Sequence, residues 1–131
     1  MRLVYFGDVM GKSGRIGLDT HLPKIIEELS PDFIMVNGEN AAHGFGITEK
    51  ICNQFFELGV DVVTTGNHAW DQREIINYID REPRLLRPLN YPKHTPGNGS
   101  GIFEARNGAQ VFVGQVMGRL FMESLDDPFM A

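Results

Sequence analysis

Three short apolar runs are spaced along the first half of the chain, at residues 3–6, 33–36 and 60–63. Each run is followed by a glycine beside an acid or an amide, as expected where buried parallel strands leave a sheet. The segments after the runs have the length and apolar spacing of amphipathic helices. This β-α-β-α-β-α order predicts an α/β fold with parallel strands and crossover helices.

The three predicted helices have recognisable starts and ends. A glycine-rich loop reaches to about Gly14 before the first helix, and Pro23 within it predicts a kink or a late start. Thr48 is suited to cap the second helix, which Gly59 ends. The third helix is predicted over residues 72–80. Its buried side is expected to carry three isoleucines: Ile75, Ile76 and Ile79.

The last third of the chain has a different character. Proline and glycine become frequent after Pro83, which predicts a long loop. Residues 102–106 and 110–113 then flank Asn107-Gly108, a strong signal for a two-residue hairpin turn. We therefore predict one α/β domain over residues 1–131, in which the parallel strands and helices are followed by an antiparallel hairpin.

Composition excludes several classes of protein. The net charge of −5 argues against broad binding to nucleic acid or to anionic membranes. No apolar stretch approaches the roughly 18 residues of a membrane span. A single cysteine, Cys52, excludes an internal disulfide framework and, without a secretory signal, favours the cytoplasm. A small phosphate ligand remains compatible with this charge, because metal ions can supply the positive charge locally.

Polar side chains follow all three predicted strands: Asp8, then Glu39 and Asn40, then Asn67 and His68. The carboxyl ends of parallel strands lie along one edge of a sheet, so we expect these side chains to converge. Carboxylate, amide and imidazole ligands suit Mn²⁺, Fe or Zn²⁺ better than Ca²⁺. Two such cations can clamp a phosphoryl group and acidify a bound water, which then supplies the nucleophilic hydroxide.

Four of these residues also have a simpler interpretation, whereas Glu39 is harder to explain as a turn residue, because turns favour Asp, Asn and Gly over Glu. Asp8 can be a helix cap or a turn residue, and Asn40 and Asn67 can be turn residues that accept a positive φ. His68 can be a packed, hydrogen-bonded histidine. The coincidence of all three loops favours a shared site. His43 lies in a glycine-containing loop beside that site, so we predict that it contacts the substrate.

Residues 7–13 form a competing motif, because they follow a strand and precede a helix as a phosphate-binding P-loop does. That motif requires four residues between its first glycine and the Gly-Lys-Ser/Thr group, whereas Gly7 and Gly11 are separated by three. A nucleotide-binding P-loop protein is therefore a lesser alternative.

These loops resemble the motifs of the calcineurin-like metallophosphoesterase superfamily, which run Asp-x-His, Gly-Asp and Gly-Asn-His. Gly66-Asn67-His68 matches the third motif, whereas Met10 stands in place of the usual histidine and Glu39 in place of the usual aspartate. With these departures, residues 37–48, 66–71 and 125–129 are similar to the YmdB-like bacterial metallophosphoesterases. The resemblance spans the chain and corresponds to the N-terminal half of such a protein.

The resemblance implies a dinuclear metal site in a phosphodiesterase that acts on cyclic nucleotides. Asp8 would bind one metal, Glu39 would bridge, Asn67 would bind the second metal, and Asn40 would support or join the ligand set. His68 would be the catalytic acid or would stabilise the transition state. Fe or Mn is the expected metal, with Zn or Mg as alternatives.

Members of that family are longer, and their later segments supply further metal-binding histidines. This sequence has no histidine after His94 and stops at Ala131, so we expect an apparently truncated domain that exposes an apolar edge at residues 111–113. Weak metal binding, little activity, and association into a homo-oligomer or with a partner are the resulting predictions. The rival hypothesis is a non-catalytic remnant or binding module that keeps the phosphate-facing loops.

Overall fold

The computed structural model describes residues 1–131 and contains one parallel sheet and one separate hairpin. The parallel strands are β1 (Leu3–Phe6), β2 (Phe33–Asn37), β3 (Val62–Thr64) and β4 (Leu85–Leu86). The helices are α1 (Gly11–Leu29), α2 (Glu49–Glu57) and α3 (Ile75–Ile79), and the hairpin strands are β5 (Ser100–Glu104) and β6 (Gln110–Gly114). The sheet order is β1-β2-β3-β4, with every pair parallel, which confirms the predicted α/β fold.

The two faces of the sheet pack against different layers because side chains alternate along each strand. Ile34 and Val36 of β2 share a buried cluster with residues of the three helices. Phe33, one residue out of phase, shares a second cluster with Val111 and Val113 of the hairpin. The chain is therefore layered as helices, parallel sheet and hairpin.

Helix α1 begins at Gly11, earlier than expected, and continues through Pro23. The predicted late start is therefore wrong. Two backbone hydrogen bonds position the first turn of the helix. Gly11 N–H donates to the backbone carbonyl of Asn40 at 2.9 Å, and Gly14 N–H donates to that of Met10 at 2.9 Å. Leu18 and Leu22 are buried toward the sheet, and Pro23 lies exposed on the helix surface.

Helix α2 agrees with its prediction, whereas α3 is shorter than expected. The Thr48 hydroxyl accepts a hydrogen bond from the Ile51 N–H at 3.2 Å, which confirms the cap. Only residues 75–79 are helical in α3, and Ile76 is 42% exposed, so its predicted burial is wrong. Ile75, Tyr78 and Ile79, three or four positions apart on one side of the helix, reach the core, whereas Ile76 does not.

The hairpin forms as predicted, but its turn differs. Gly108 N–H donates to the carbonyl of Ala105 at 2.8 Å, so the central residues of the turn are Arg106 and Asn107. Gly108 follows them with a φ of +81°, and the predicted two-residue turn centred on Asn107-Gly108 does not form. The side chains of Val111 and Val113 pack onto the sheet, and β6 is paired on one side only, with β5. The apolar surface left open is the outer face of the hairpin, at the paired residues Ile102 and Phe112.

The two-residue strand β4 was not predicted, because it is too short to show any periodicity. Leu85 and Leu86 are fully buried, one on each face of the sheet. No helix in the structure combines the length and the apolar character required to cross a membrane.

Candidate active site

Backbone hydrogen bonds join the loops that follow β1 and β2 to the ends of the neighbouring strands. Val9 N–H donates to the carbonyl of Asn37, the last residue of β2, at 3.0 Å. Gly38 N–H donates to the carbonyl of Thr64, the last residue of β3, at 2.9 Å. The polar residues of the three loops are thus positioned at one edge of the sheet, as the parallel topology requires.

Asp8 and Asn40 are in direct contact although 32 residues separate them. The Asn40 side-chain amide donates to Asp8 Oδ1 at 2.7 Å. Asp8 has a φ of +21°, uncommon for a residue with a β-carbon, and its side chain is exposed. Because the amide NH₂ is engaged, the carbonyl oxygen of Asn40 and the second oxygen of Asp8 are available as ligand atoms.

The Glu39 carboxylate is held by one oxygen and unpartnered at the other. Asn37 donates to Glu39 Oε1 at 3.2 Å, and its own carbonyl accepts from the Glu39 N–H at 3.2 Å. Glu39 Oε2 is buried and has no hydrogen-bond partner. A β-carbon at Gly66 would overlap this carboxylate, so the glycine is what allows Glu39 to lie against the third loop.

A cavity of about 200 Å³ is lined by Glu39, Gly66 and Asn67. The structure therefore places Asp8 beside Asn40, and Glu39 beside Asn67. No group of three or more histidine, cysteine, aspartate or glutamate side chains is arranged to hold a metal ion. The loops supply two carboxylates and two amides, an oxygen-rich set that can hold a divalent cation.

His68 is oriented by an aspartate three residues further along the chain. Its Nδ1 lies 2.7 Å from Asp71 Oδ2, and its ring is perpendicular to that of Phe45 with the centroids 5.8 Å apart. A carboxylate at Nδ1 favours a proton on that nitrogen, which leaves Nε2 to exchange a proton with a ligand. When Nε2 also carries a proton, such a ring can act as a general acid.

His43 lies on a different cavity. It lines a groove of about 700 Å³ between α1 and α2 together with Lys12 and Arg15, whereas none of Asp8, Glu39 and His68 lines that groove. Its predicted contact with the substrate stays a prediction.

Three residues near the site were not identified from sequence: Asn37, Asp71 and Tyr91. Asn37 positions Glu39, two residues away in the sequence, and Asp71 positions His68, three residues away. These short separations are the only sequence signal that could have indicated the two roles. Tyr91 packs edge-on against Trp70 at 5.7 Å. Burial raises the pKa of Tyr91, and the carboxylate of Glu123 adds to the shift, so its hydroxyl stays protonated near neutral pH.

Comparison with known proteins identifies relatives along nearly the whole chain. The family model described as YmdB-like protein matches residues 4–131. The chain is 45% identical over 130 residues to the 2′,3′-cyclic-nucleotide 2′-phosphodiesterase of Bacillus subtilis (strain 168), covering 99% of this chain and 49% of that protein.

Two solved structures have the same fold. A hypothetical protein from Thermus thermophilus superposes with a TM-score of 0.90 at 43% identity, covering 99% of this chain and 50% of that one. A novel phosphatase from Mycoplasma pneumoniae superposes with a TM-score of 0.87 at 31% identity, covering 98% and 47%. The chain thus spans about half the length of the relatives it matches.

Proposed function

Because this chain belongs to the YmdB-like protein family, we propose that it carries the first loops of a metal-dependent phosphodiesterase site whose substrates are cyclic nucleotides. The relatives named above include a cyclic-nucleotide phosphodiesterase and a phosphatase, both hydrolases of phosphate esters. The observation that carries the proposal is the buried, unpartnered Oε2 of Glu39 at the edge of the sheet.

An unpartnered carboxylate oxygen needs a compensating charge. Burial of an ionised oxygen without a hydrogen bond is unfavourable, and a cation at this position would remove the penalty. Gly66 keeps the space around the carboxylate open, and Asn67 lines the same cavity. The residues present therefore fit a divalent cation.

We assign the ligand roles from this geometry and from the family resemblance. Asp8 would hold one cation, with Asn40 supporting or joining it, Asn67 would hold a second, and Glu39 would contribute to both. Fe or Mn is the proposed metal, with Zn or Mg as alternatives. When bound, two such cations would polarise the phosphoryl group and lower the pKa of water.

His68 has the proposed role of general acid. Asp71 holds the ring by Nδ1, so in the doubly protonated (imidazolium) form of His68 the proton on Nε2 is the one delivered to the departing ester oxygen, which leaves a neutral ring protonated on Nδ1. Asn67 lines one cavity with Glu39 and another with His68, which supports a position of the phosphate close to Nε2.

The alternative is a binding module that recognises phosphate without turnover. It is favoured by the lack of any group of three acidic, histidine or cysteine side chains suited to a metal ion. Homo-oligomer formation and a cytoplasmic location remain predictions.

The test is equilibrium dialysis of the purified chain against Mn²⁺, followed by hydrolysis of a 2′,3′-cyclic nucleotide. We expect saturable Mn²⁺ binding and a low rate of hydrolysis, both lost in Glu39→Ala and Asp8→Ala. Glu104→Ala, on the exposed face of β5, is the matched carboxylate control and should behave like the parent chain. Metal binding that persists in Glu39→Ala contradicts the proposed site. Metal binding with no hydrolysis at all would favour the binding module.

A further inference from the structure

A second cavity opens beside the candidate active site and has an aromatic wall. It measures about 300 Å³, and His68 and Asn67 line it together with Phe45, Tyr91 and Phe121. Asn67 also lines the cavity that contains Glu39, so the two spaces meet at this residue. A ligand whose phosphate lies at Glu39 and Asn67 would extend next into the aromatic cavity.

Phe45 combines an anchored backbone with an exposed ring. Its N–H donates to Ala42 at 3.0 Å, and its carbonyl accepts from the Gln72 side chain at 2.6 Å. The side chain nevertheless remains 60% exposed. Because the backbone of Phe45 is anchored while its ring is mostly exposed, the ring contributes little to the core and its surface is available to a ligand.

Phe121 provides a second exposed ring on the same cavity. It is 97% exposed, and its backbone has a φ of +59°, an uncommon conformation for a residue with a bulky side chain. The carboxylates of Asp71 and Glu123 also line this cavity and can accept hydrogen bonds. Aromatic surfaces with acceptors at the edge suit a flat, hydrogen-bonding ring.

We propose that this cavity binds the nucleobase of the substrate, with Phe45 as the principal stacking residue and Phe121 as a second. The inference rests on the proposed function, since that function places the phosphate at Glu39 and Asn67. Stacking on an aromatic side chain accepts any base, because every base has a π-face. Phe45 thereby determines a preference for nucleotides over simple phosphate esters.

The experiment measures binding of three ligands to the 131-residue chain by equilibrium dialysis in Mn²⁺: adenosine 2′,3′-cyclic monophosphate, adenosine and inorganic phosphate. Phe45→Ala should weaken binding of the nucleotide and of adenosine by roughly tenfold, in line with the loss of one stacked ring. Binding of inorganic phosphate should not change. Phe45→Tyr should restore binding of the nucleotide.

Phe112→Ala is the matched control, because Phe112 is also a largely exposed phenylalanine but lies on the outer face of the hairpin. It should leave all three affinities unchanged. If Phe45→Ala binds the nucleotide as well as the parent chain does, the base cavity is wrong and the phosphodiesterase proposal stands. If adenosine binding depends on Phe45 while phosphate does not bind at all, the base cavity stands and the proposed function is wrong.

Discussion

Glu39 depends on two neighbours that have no catalytic chemistry of their own. Asn37 fixes one carboxylate oxygen, and Gly66 leaves the volume in which the other lies. The position of the Glu39 carboxylate is thus determined by a hydrogen bond from Asn37 and by the missing side chain of Gly66. Residues of this kind often matter as much as the ligands that they position.

Gly66→Ala should therefore weaken the proposed metal site. The added methyl group overlaps the Glu39 carboxylate and displaces it, so Mn²⁺ affinity is expected to fall by roughly 10- to 100-fold. Equilibrium dialysis of the variant measures this. Gly17→Ala is the control, since its β-carbon meets nothing within 4 Å and should instead stabilise α1 by roughly 0.5–1 kcal/mol. Unchanged Mn²⁺ affinity in Gly66→Ala would show that Glu39 does not hold metal.

Asp71 sets the proton distribution on the His68 ring. The bond from Nδ1 to the carboxylate predicts that neutral His68 carries its proton on Nδ1. Nitrogen-15 NMR of the histidine side chains distinguishes the two tautomers directly. Asp71→Ala should move the population toward the Nε2–H form, and Asp71→Asn, which keeps an acceptor oxygen, should retain more of the Nδ1–H form. Identical spectra for the parent chain and Asp71→Ala would contradict this positioning role.

The contact between α2 and α3 buries two groups that ionise at high pH. Cys52 is fully buried in α2, and burial raises its pKa from 9.0 to about 12. Tyr78 of α3 also has its pKa raised, again mainly by burial, and its hydroxyl donates to Asn53 at 2.7 Å. Ionisation of either group would therefore destabilise this interface.

The pH dependence of stability follows from this burial. Since the folded-state pKa of Cys52 lies above its unfolded value, its contribution is fully present below about pH 9 and is lost as the pH rises from 9 toward 12. Between about pH 7.5 and 10, ionisation of the unfolded thiol should lower the free energy of unfolding by about 1.4 kcal/mol. Urea denaturation at both pH values measures it. Cys52→Ala should lose less stability over this interval, and an equal loss would exclude the thiol as the cause.

At the scale of the whole molecule, Arg106 connects the hairpin to the parallel sheet. Its side chain donates to Asp61 Oδ2 at 2.7 Å and to the Gly59 carbonyl at 2.8 Å, and its N–H donates to Asp32 at 2.9 Å. Gly59 and Asp61 lie just before β3, so the turn of the hairpin is attached where that strand begins. The two layers are held together by this contact and by the apolar cluster between them.

Arg106→Ala should loosen the attachment of the hairpin. The side-chain hydrogen bonds are lost, but both members of the ion pair with Asp61 are partly exposed, so we expect a loss of about 1 kcal/mol in the free energy of unfolding. Urea denaturation measures the loss, and hydrogen exchange should show faster exchange in β5 and β6. Arg119→Ala is the control: its nearest carboxylate, Asp127, is 3.9 Å away, and the change should be below about 0.5 kcal/mol. Equal losses in the two variants would contradict the role of Arg106.

The sequence by itself determined the first three parallel strands, the helices that follow them, the hairpin, and the edge of the sheet along which Asp8, Glu39 and Asn67 lie. These features depend on local patterns, namely apolar periodicity and turn residues, together with the rule that parallel strands end at the same edge. The prediction that Thr48 caps α2 is confirmed for the same reason, because a cap and its helix are neighbours in the chain.

Only the tertiary structure decided which side chains touch and which atoms lack a partner. It paired the two-residue strand β4 with β3, placed His43 on the groove between α1 and α2, and left Glu39 Oε2 buried without a hydrogen bond. These outcomes arise from contacts between residues distant in sequence, and they depend on shifts of a few ångströms in packing. No local pattern encodes shifts of that size.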